Sequence, residues 1–161
     1  IFSKFLSEEI VKFYEKKVPS IVIRLSNIYG YTKLIRPDLV PTLIQNVLNK
    51  DDVTIWNDKP KRDFIFTEDA ADAILKLLNT NYTGVINLGT GVMNSIKSIT
   101  SEVEKLSGKK IRSLDKPVGG PMELTVDTSL TKKLIDWEPK FTLQEGLKKT
   151  YEIMKNYHQK K

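Results

Sequence analysis

The alternation of helical and strand patterns along this chain predicts an α/β fold. Segments with apolar residues at helical spacing alternate with short β-branched runs, and Gly, Pro, Asn or Asp separate them. This alternation is typical of folds in which helices cover a mostly parallel sheet. The chain has 161 residues, of which 40% are hydrophobic and 29% are charged, so it can bury a sizeable core.

The elements of the first half follow from apolar spacing and turn residues. The β-branched run Ile21-Val22-Ile23 is typical of a buried strand. Asp38 is the expected N-cap of the second helix, and Thr67 or Glu68 is expected near the start of the third. The predicted elements are helices over residues 2–17, 39–48 and 67–78, and strands over residues 21–25, 53–56 and 64–66, the last two around a turn at 57–61.

Capping residues define the helices of the second half. Ser95 precedes a helix that Gly108 should end, and Thr142 with Glu145 forms a capping box before the last helix. The predicted elements are strands over residues 84–89 and around residue 111, and helices over residues 96–107, 127–135 and 142–154.

The segment Gly89-Thr90-Gly91 follows a predicted strand and precedes a helix, which is the context of a dinucleotide-binding fingerprint. That fingerprint needs a third glycine at the position that Asn94 occupies, and no ribose-binding acid follows at the required distance. A structural turn is therefore the favoured interpretation of this segment.

Composition excludes several classes of protein. Without cysteine and with one histidine, His158, the chain has no thiolate metal site and no multi-His metal site. The net charge of +6 comes from lysines and arginines that are spread along the chain and interrupted by acids, which favours solvated surfaces over a nucleic-acid site. No apolar stretch is long enough to span a membrane, and the first residues do not form a signal peptide. We expect a cytoplasmic protein.

The chain starts at Ile1 with a helical pattern already under way, without an initiator Met or a visible cap. A helix that begins without a cap leaves backbone donors without partners. We therefore expect this sequence to be the C-terminal part of a longer chain.

Several motifs occur in a characteristic order, and their combination is more specific than any one of them. The most specific is Arg62-Asp63-Phe64-Ile65-Phe66-Thr67-Glu68-Asp69-Ala70-Ala71-Asp72-Ala73. The others are Ser3-Lys4-Phe5-Leu6-Ser7-Glu8, Arg24-Leu25-Ser26-Asn27-Ile28-Tyr29-Gly30, Val53-Thr54-Ile55-Trp56-Asn57-Asp58 and Val85-Ile86-Asn87-Leu88-Gly89-Thr90-Gly91.

This series resembles the C-terminal half of the NAD-dependent epimerase/dehydratase family, the extended short-chain dehydrogenases/reductases that act on nucleotide sugars. The resemblance implies the last parallel strands and helices of an extended Rossmann fold plus a small α/β substrate-binding domain. It assigns residues 1–30 and about 84–92 to the edge of the Rossmann domain, whose N-terminal NAD-binding half is absent. It also implies a NAD or NADP cofactor and a homodimer.

The resemblance assigns Lys4 to the lysine of the family's Tyr-x-x-x-Lys motif. Residues i and i+4 share a helix face, so the ammonium group can lower the pKa of the phenol that acts as the base. The tyrosine is then expected immediately before Ile1, and we expect the chain by itself to be inactive. Without the resemblance, Lys4 would be a solvated lysine on a helix.

Arg62 and Asn27 match substrate-binding positions of the family. The resemblance assigns Arg62 to the diphosphate, which a guanidinium group binds in a bidentate manner; the alternative is an ion pair with Asp63 or Glu68. Asn27 matches an asparagine that hydrogen-bonds the substrate beyond the end of a strand; the alternative is a turn residue in the left-handed conformation.

Three further positions are candidates for binding. Ser26 matches a position where the family backbone meets the nicotinamide. Trp56 matches an apolar position near the nucleotide base, with core packing as the alternative. Where family members carry a second phosphate-binding arginine this chain has Pro117, and the neighbouring Lys116 is the candidate substitute.

The function that the resemblance implies is that of a nucleotide-sugar epimerase or 4,6-dehydratase. Both reactions begin by oxidation of C4 of a UDP-, GDP- or dTDP-sugar, and the sequence does not distinguish between them. The alternatives are a non-catalytic sensor of a dinucleotide or nucleotide sugar with the same fold and, from the charge alone, a basic protein that binds nucleic acid.

Overall fold

The described residues, 2–32 and 38–159 of a computed structural model, alternate between helices and short strands as the sequence predicts. The helices are α1 (Phe2–Tyr14), α2 (Leu39–Asn49), α3 (Thr67–Leu78), α4 (Ile96–Ser107), α5 (Ser129–Ile135) and α6 (Leu143–Gln159). The strands are β1 (Ile21–Leu25), β2 (Asn27–Tyr29), β3 (Val53–Ile55), β4 (Lys61–Phe66), β5 (Gly84–Leu88), β6 (Met93–Ser95), β7 (Ile111–Ser113) and β8 (Glu123–Leu124). No helix in these two ranges is long and apolar enough to cross a membrane.

The strands form three sheets, most of whose pairings are parallel. β1 pairs with β5 in parallel, with Arg24 opposite Asn87. In the largest sheet, β4 pairs with β2 and β8 in parallel and with β6 in antiparallel orientation. A third parallel pair joins β3 to β7.

The alternation of side chains along β4 divides the core into two clusters. Phe64 and Phe66 face one cluster, which contains apolar side chains of α2, α4 and α6. Ile65 points to the other face, where it packs with Ala70 and Ala73 of α3, with Leu88 and with Trp137. Because the side chains of a strand alternate, Arg62 lies on the first face and Asp63 on the second.

Helix α1 contains no buried residue. Phe2 is 72% exposed and Phe13 80% exposed, so the first helix presents an apolar surface. An ion pair connects α1 to β1, because Nη2 of Arg24 lies 2.6 Å from Oε1 of Glu8. Hydrogen bonds from Arg24 and then from Lys12 lower the pKa of Glu8 to about 2.

The predicted capping positions are confirmed, with one difference in hydrogen bonding. The Ser95 hydroxyl accepts a hydrogen bond from the Ser98 amide, and Gly108 ends α4 in the left-handed conformation with φ of 72°. Asp38 is the N-cap residue of α2, but its side chain makes no capping hydrogen bond. Thr67 is the first residue of α3 and Phe66 its N-cap, because β4 continues directly into the helix.

Other differences concern the end of the first helix, the pairing of the strands and three short strands. The first helix ends at Tyr14, earlier than residue 17. The strands on either side of the turn at residues 57–61 do not pair with each other, since β3 pairs with β7 while β4 belongs to the largest sheet. The short strands β2, β6 and β8 are not predicted, because their pairing with β4 connects residues that are distant in sequence.

Candidate functional site

The candidate site lies where β1 and β5 end. Ser26 and Asn27 follow the last residue of β1, and Gly89 follows the last residue of β5. The Ser26 amide donates a hydrogen bond of 2.9 Å to the carbonyl of Leu88, which holds the two strand ends together. In open α/β sheets, ligands bind in the crevice outside the carboxyl ends of the strands.

Asp63 fixes the loop that follows β5. Its carboxylate accepts hydrogen bonds from the Thr90 amide (3.0 Å), the Thr90 hydroxyl (2.6 Å) and the Gly91 amide (2.9 Å), and the residue is 2% exposed. The two amides that could receive a phosphate therefore already bind a carboxylate. The segment of residues 89–91 is a structural turn, as the absence of a third glycine indicates.

Gly89 is needed at this point because the surrounding groups leave no space for a side chain. A Cβ there would lie 2.5 Å from Oδ2 of Asp63 and 2.6 Å from Cγ2 of Val126. It would also lie 2.9 Å from Oγ of Ser26. Within the described residues, this Ser26 hydroxyl is buried and has no hydrogen-bond partner.

Arg62 lies on the opposite face of β4 from Asp63 and is half-buried. Its Nη1 donates hydrogen bonds to the carbonyls of Lys61 (2.8 Å) and Met122 (3.1 Å), while its Nε and Nη2 have no partner among the described residues. The ion-pair alternative is wrong, because Asp63 binds the loop after β5 and Glu68 pairs with Lys149.

Asn27 is the first residue of β2 and pairs with Phe64 of β4. The residue is exposed, and its side chain makes no hydrogen bond within the described parts of the chain. Among the described non-glycine residues, only Asp115 and Asp136 have positive φ, so the left-handed turn alternative for Asn27 is wrong.

Trp56 and Lys116 lie together on the surface. Trp56 is 60% exposed, so the core-packing alternative is wrong, and its indole Nε1 donates a hydrogen bond of 2.7 Å to the carbonyl of Pro117. Nζ of Lys116 lies 5.2 Å from the centre of the indole ring. Asn57 fixes the same segment by donating to the carbonyl of Lys116 at 2.9 Å.

Two contacts establish the direction of α1. Glu8 pairs with Arg24, and Oε1 of Glu15 lies 4.0 Å from the position of a Cβ on Gly84, at the start of β5. Glu8 and Glu15, the residue that follows the last residue of α1, are about 10 Å apart along the direction of the helix. Gly84 pairs with Ile21, which precedes Arg24 by about 10 Å of strand. Helix α1 therefore runs antiparallel to β1.

This direction places Lys4 near the end of β1. Lys4 precedes Glu8 by about one helical turn, or 6 Å, and Ser26 follows Arg24 by about the same length of strand. The backbone of Lys4 is therefore level with Ser26, so the two residues predicted to contact the cofactor lie at the same end of the sheet. Lys4 itself is exposed.

Local ion pairs engage four cations of the basic segment at residues 105–116. Within the described ranges, each of these four lies within 4 Å of a carboxylate, which does not favour nucleic-acid binding there. The pairs are Lys105–Glu102, Lys109–Asp51, Lys110–Glu104 and Arg112–Asp52. In the same ranges, no three His, Cys, Asp or Glu side chains are grouped so that they could hold a metal ion.

The role of Asp63 is the main feature that the sequence interpretation missed. In the sequence analysis Asp63 is only a possible partner for Arg62, although strict alternation along a strand places adjacent residues on opposite faces. That alternation, together with the donors of the Gly-Thr-Gly turn, is the signal that could have identified its partners.

Comparison with known proteins identifies relatives over most of the chain. The sequence profile of the NAD dependent epimerase/dehydratase family matches residues 1–89. The UDP-glucuronate 4-epimerase of Thermodesulfobacterium geofontis is 32% identical over 134 residues, which cover 80% of this chain and 41% of that protein. The chain spans about half the length of the curated relatives it matches.

Solved structures share the fold. The UDP-glucuronic acid 4-epimerase of Bacillus cereus, in complex with UDP-glucuronic acid and NAD, is 31% identical with a TM-score of 0.82, over 93% of this chain and 50% of that one. The UDP-glucose 4-epimerase of Thermotoga maritima, solved with UDP-glucose, gives a TM-score of 0.86 over 98% of this chain and 53% of that one. At 24% identity, the second likeness shows the fold alone.

Proposed function

The chain belongs to the NAD-dependent epimerase/dehydratase family, and on this basis we propose that it is the nucleotide-sugar-binding part of an epimerase or dehydratase. The substrate is a UDP-, GDP- or dTDP-sugar that is transiently oxidised at C4. We assign residues 1–30 and about 84–92 to the edge of a Rossmann domain whose NAD-binding half lies outside this chain. The separate parallel pair formed by β1 and β5, and the half-length matches to relatives, support this division.

The observation that carries the proposal is that Arg62 has guanidinium donors without partners among the described residues. A half-buried guanidinium group whose Nε and Nη2 have no partner in the described residues retains donors for an anion. A diphosphate accepts two parallel hydrogen bonds from such a group, and the interaction is stronger than with a neutral acceptor. The hydrogen bonds from Nη1 to backbone carbonyls hold the side chain in position before the ligand arrives.

The other candidate residues offer groups that suit further parts of an elongated ligand. Asn27, on the same sheet face as Arg62, would orient the sugar through its amide, which makes no hydrogen bond within the described residues. The exposed indole of Trp56 offers a surface for the nucleotide base, and Lys116 beside it supplies a positive charge for a phosphate oxygen.

The residues at the end of β1 fit one edge of a NAD or NADP site. The buried Ser26 hydroxyl, which has no hydrogen-bond partner in the described part of the chain, can bond a polar group of the nicotinamide, and the backbone of Lys4 lies level with it. A NAD or NADP bound there would supply the acceptor for the hydride of the sugar. The ammonium group of Lys4 would hold a ribose hydroxyl and lower the pKa of the tyrosine that removes the hydroxyl proton.

Ligand titration tests the binding part of this proposal. Calorimetry with UDP-, GDP- and dTDP-glucose is expected to show binding of at least one of them, and Arg62→Ala is expected to weaken that binding about 10-fold or more. Arg112→Ala is the matched control, because Arg112 is an exposed arginine paired with Asp52 outside the site. If Arg62→Ala and Arg112→Ala bind alike, Arg62 is not the diphosphate anchor.

We further propose that the chain alone does not catalyse epimerisation or dehydration, since neither a catalytic tyrosine before Lys4 nor a phosphate-binding Gly-rich loop is among its residues. Incubation with each sugar nucleotide and analysis for epimers or 4-keto products should give none. Turnover above a blank would overturn this part of the proposal.

A homodimer is the proposed assembly, and α1 supplies the surface that supports it. Phe5, Ile10 and Phe13 of this helix are 55%, 59% and 80% exposed, and monomeric proteins rarely expose large contiguous apolar patches. Light scattering is expected to show a mass above that of one chain, and Phe13→Glu is expected to reduce it. A monomer at high concentration would contradict the proposal.

A further inference from the structure

The register of the largest sheet places Asn94 beside Arg62. In the antiparallel pair of β4 and β6, Arg62 is directly opposite Asn94. Directly opposed residues project from the same face with their Cβ atoms about 5 Å apart. Phe64, two residues further along β4, also lies on this face and pairs across β2 with Asn27.

The side chain of Asn94 is half-buried and makes no hydrogen bond within the described parts of the chain. By contrast, the side-chain amides of Asn57, Asn79 and Asn87 each donate to a backbone carbonyl. A partly buried amide without a partner is costly, because it has lost part of its hydration without compensation. A bound ligand that offers an acceptor would remove that cost.

The space in front of Asn94 is sufficient for part of a ligand. A pocket of about 360 Å³ opens there, lined by Asn94, Thr90, Phe64 and the first residues of α6. Phe64 also lines a hollow of about 350 Å³ that contains Ser26 and Asn27. Phe64 is therefore a common wall between the pocket at Asn94 and the hollow at the carboxyl end of β1.

We propose that Asn94 is a further ligand-binding residue, whose amide donates a hydrogen bond to the diphosphate from β6 while Arg62 binds it from β4. This inference rests on the proposed function and adds a second group to its diphosphate site. The register favours the diphosphate over the sugar, because Asn94 is level with Arg62 whereas Asn27 is level with Phe64, about 6–7 Å further along the strand.

Asn94→Ala and Asn94→Asp separate this role from a structural one. Neither substitution removes a side-chain hydrogen bond of the described residues, so both variants are expected to fold, which thermal unfolding checks. Asn94→Asp keeps the shape of the side chain but places a carboxylate against the diphosphate. Asn81→Asp, in the exposed loop before β5, adds the same charge away from the site and is the matched control.

The experiment is calorimetric titration of the full chain and its variants with UDP, GDP and dTDP and with the three monophosphates. For the tightest-binding diphosphate, Asn94→Ala is expected to weaken binding about 10-fold, which corresponds to the loss of one hydrogen bond to a charged group. Asn94→Asp is expected to weaken it further, Asn81→Asp to change it less than 2-fold, and the monophosphate affinities to change less than the diphosphate affinity.

The outcomes distinguish the two proposals. If the unaltered chain binds none of the diphosphates, the proposed function fails and this inference fails with it. If the chain binds and Arg62→Ala weakens binding while both Asn94 variants bind like the unaltered chain, only the inference about Asn94 is overturned. Equal losses for monophosphates and diphosphates would place Asn94 at another part of the ligand and also overturn it.

Discussion

Replacing Asp63 with asparagine tests whether the carboxylate holds the loop after β5 as the structure indicates. Asp63 is 2% exposed and accepts three hydrogen bonds, two from Thr90 and one from the Gly91 amide. Asparagine has nearly the same shape, so Asp63→Asn removes the charge and one acceptor oxygen without creating a cavity.

The expected magnitude follows from these contacts. An asparagine oxygen can retain the two bonds from Thr90, but its NH2 group then faces the amide of Gly91, which loses its acceptor. A hydrogen bond to a charged group contributes about 1.5–3 kcal/mol, and a buried donor left without a partner costs about 1–3 kcal/mol. Since these two figures partly describe the same loss, we expect Asp63→Asn to lower the free energy of unfolding by about 2–3 kcal/mol.

Urea unfolding followed by circular dichroism measures this change in the free energy of unfolding, and two further variants give reference values for it. Thr90→Val removes the hydroxyl bond of 2.6 Å to Asp63 and the acceptor of the Val92 amide, but it leaves the Asp63 carboxylate and its two backbone donors in place, so it should cost less than Asp63→Asn. Asp51→Asn alters a fully exposed carboxylate and should change stability by less than about 0.5 kcal/mol. If Asp63→Asn is as stable as Asp51→Asn, the carboxylate does not hold the loop and the reasoning is refuted.

Two further predictions concern packing and pH. Gly146→Ala should lower the free energy of unfolding by about 1–3 kcal/mol, because its Cβ would overlap Oη of Tyr29. In urea unfolding, adding Tyr29→Phe should recover part of this loss. If the loss is undiminished in the double variant, the contact is contradicted. The pKa of Glu8 is lowered to about 2 from its usual 4.5, so its stabilisation of α1 is complete above about pH 4.5 and is lost as the pH falls toward 2. The protection of the α1 amides against hydrogen exchange, relative to the intrinsic exchange rate at each pH, should fall over that range in the unaltered chain and change much less in Glu8→Gln.

The parts of the fold that the sequence predicted are those encoded by neighbouring residues. The capping box of α6 is an example, since the Thr142 amide donates to the Glu145 carboxylate at 2.8 Å and the Glu145 amide donates back to the Thr142 hydroxyl at 3.3 Å. Both groups lie within one helical turn, so three residues of sequence contain the whole interaction. The same reasoning explains why the bounds of β1 and the end of α4 at Gly108 were predicted correctly.

The parts that were missed depend on residues distant in sequence. β6 pairs with β4 across about 30 residues and β8 across about 60, and neither contains a hydrophobic run that would identify it as a strand. Trp56 was interpreted as either a core or a base-binding residue, because an isolated tryptophan beside a strand is compatible with both. The exposure of Trp56 depends on residues 114–117. This segment packs beside Trp56, and the carbonyl of Pro117 accepts the hydrogen bond from the indole.

The adjacent residues Arg62 and Asp63 show why opposite charges next to each other in sequence need not neutralise each other. A strand projects them to opposite faces of the sheet. On one face the Asp63 carboxylate is saturated by the donors of residues 90 and 91, and on the other the Arg62 guanidinium retains two nitrogen donors without partners in the described chain. If both were on one face, they would form an ion pair and the arginine would lose the free donors that a diphosphate needs. The turn after β5 would therefore support the proposed anion binding without touching the anion, because it occupies the one carboxylate that is adjacent to Arg62 in the sequence.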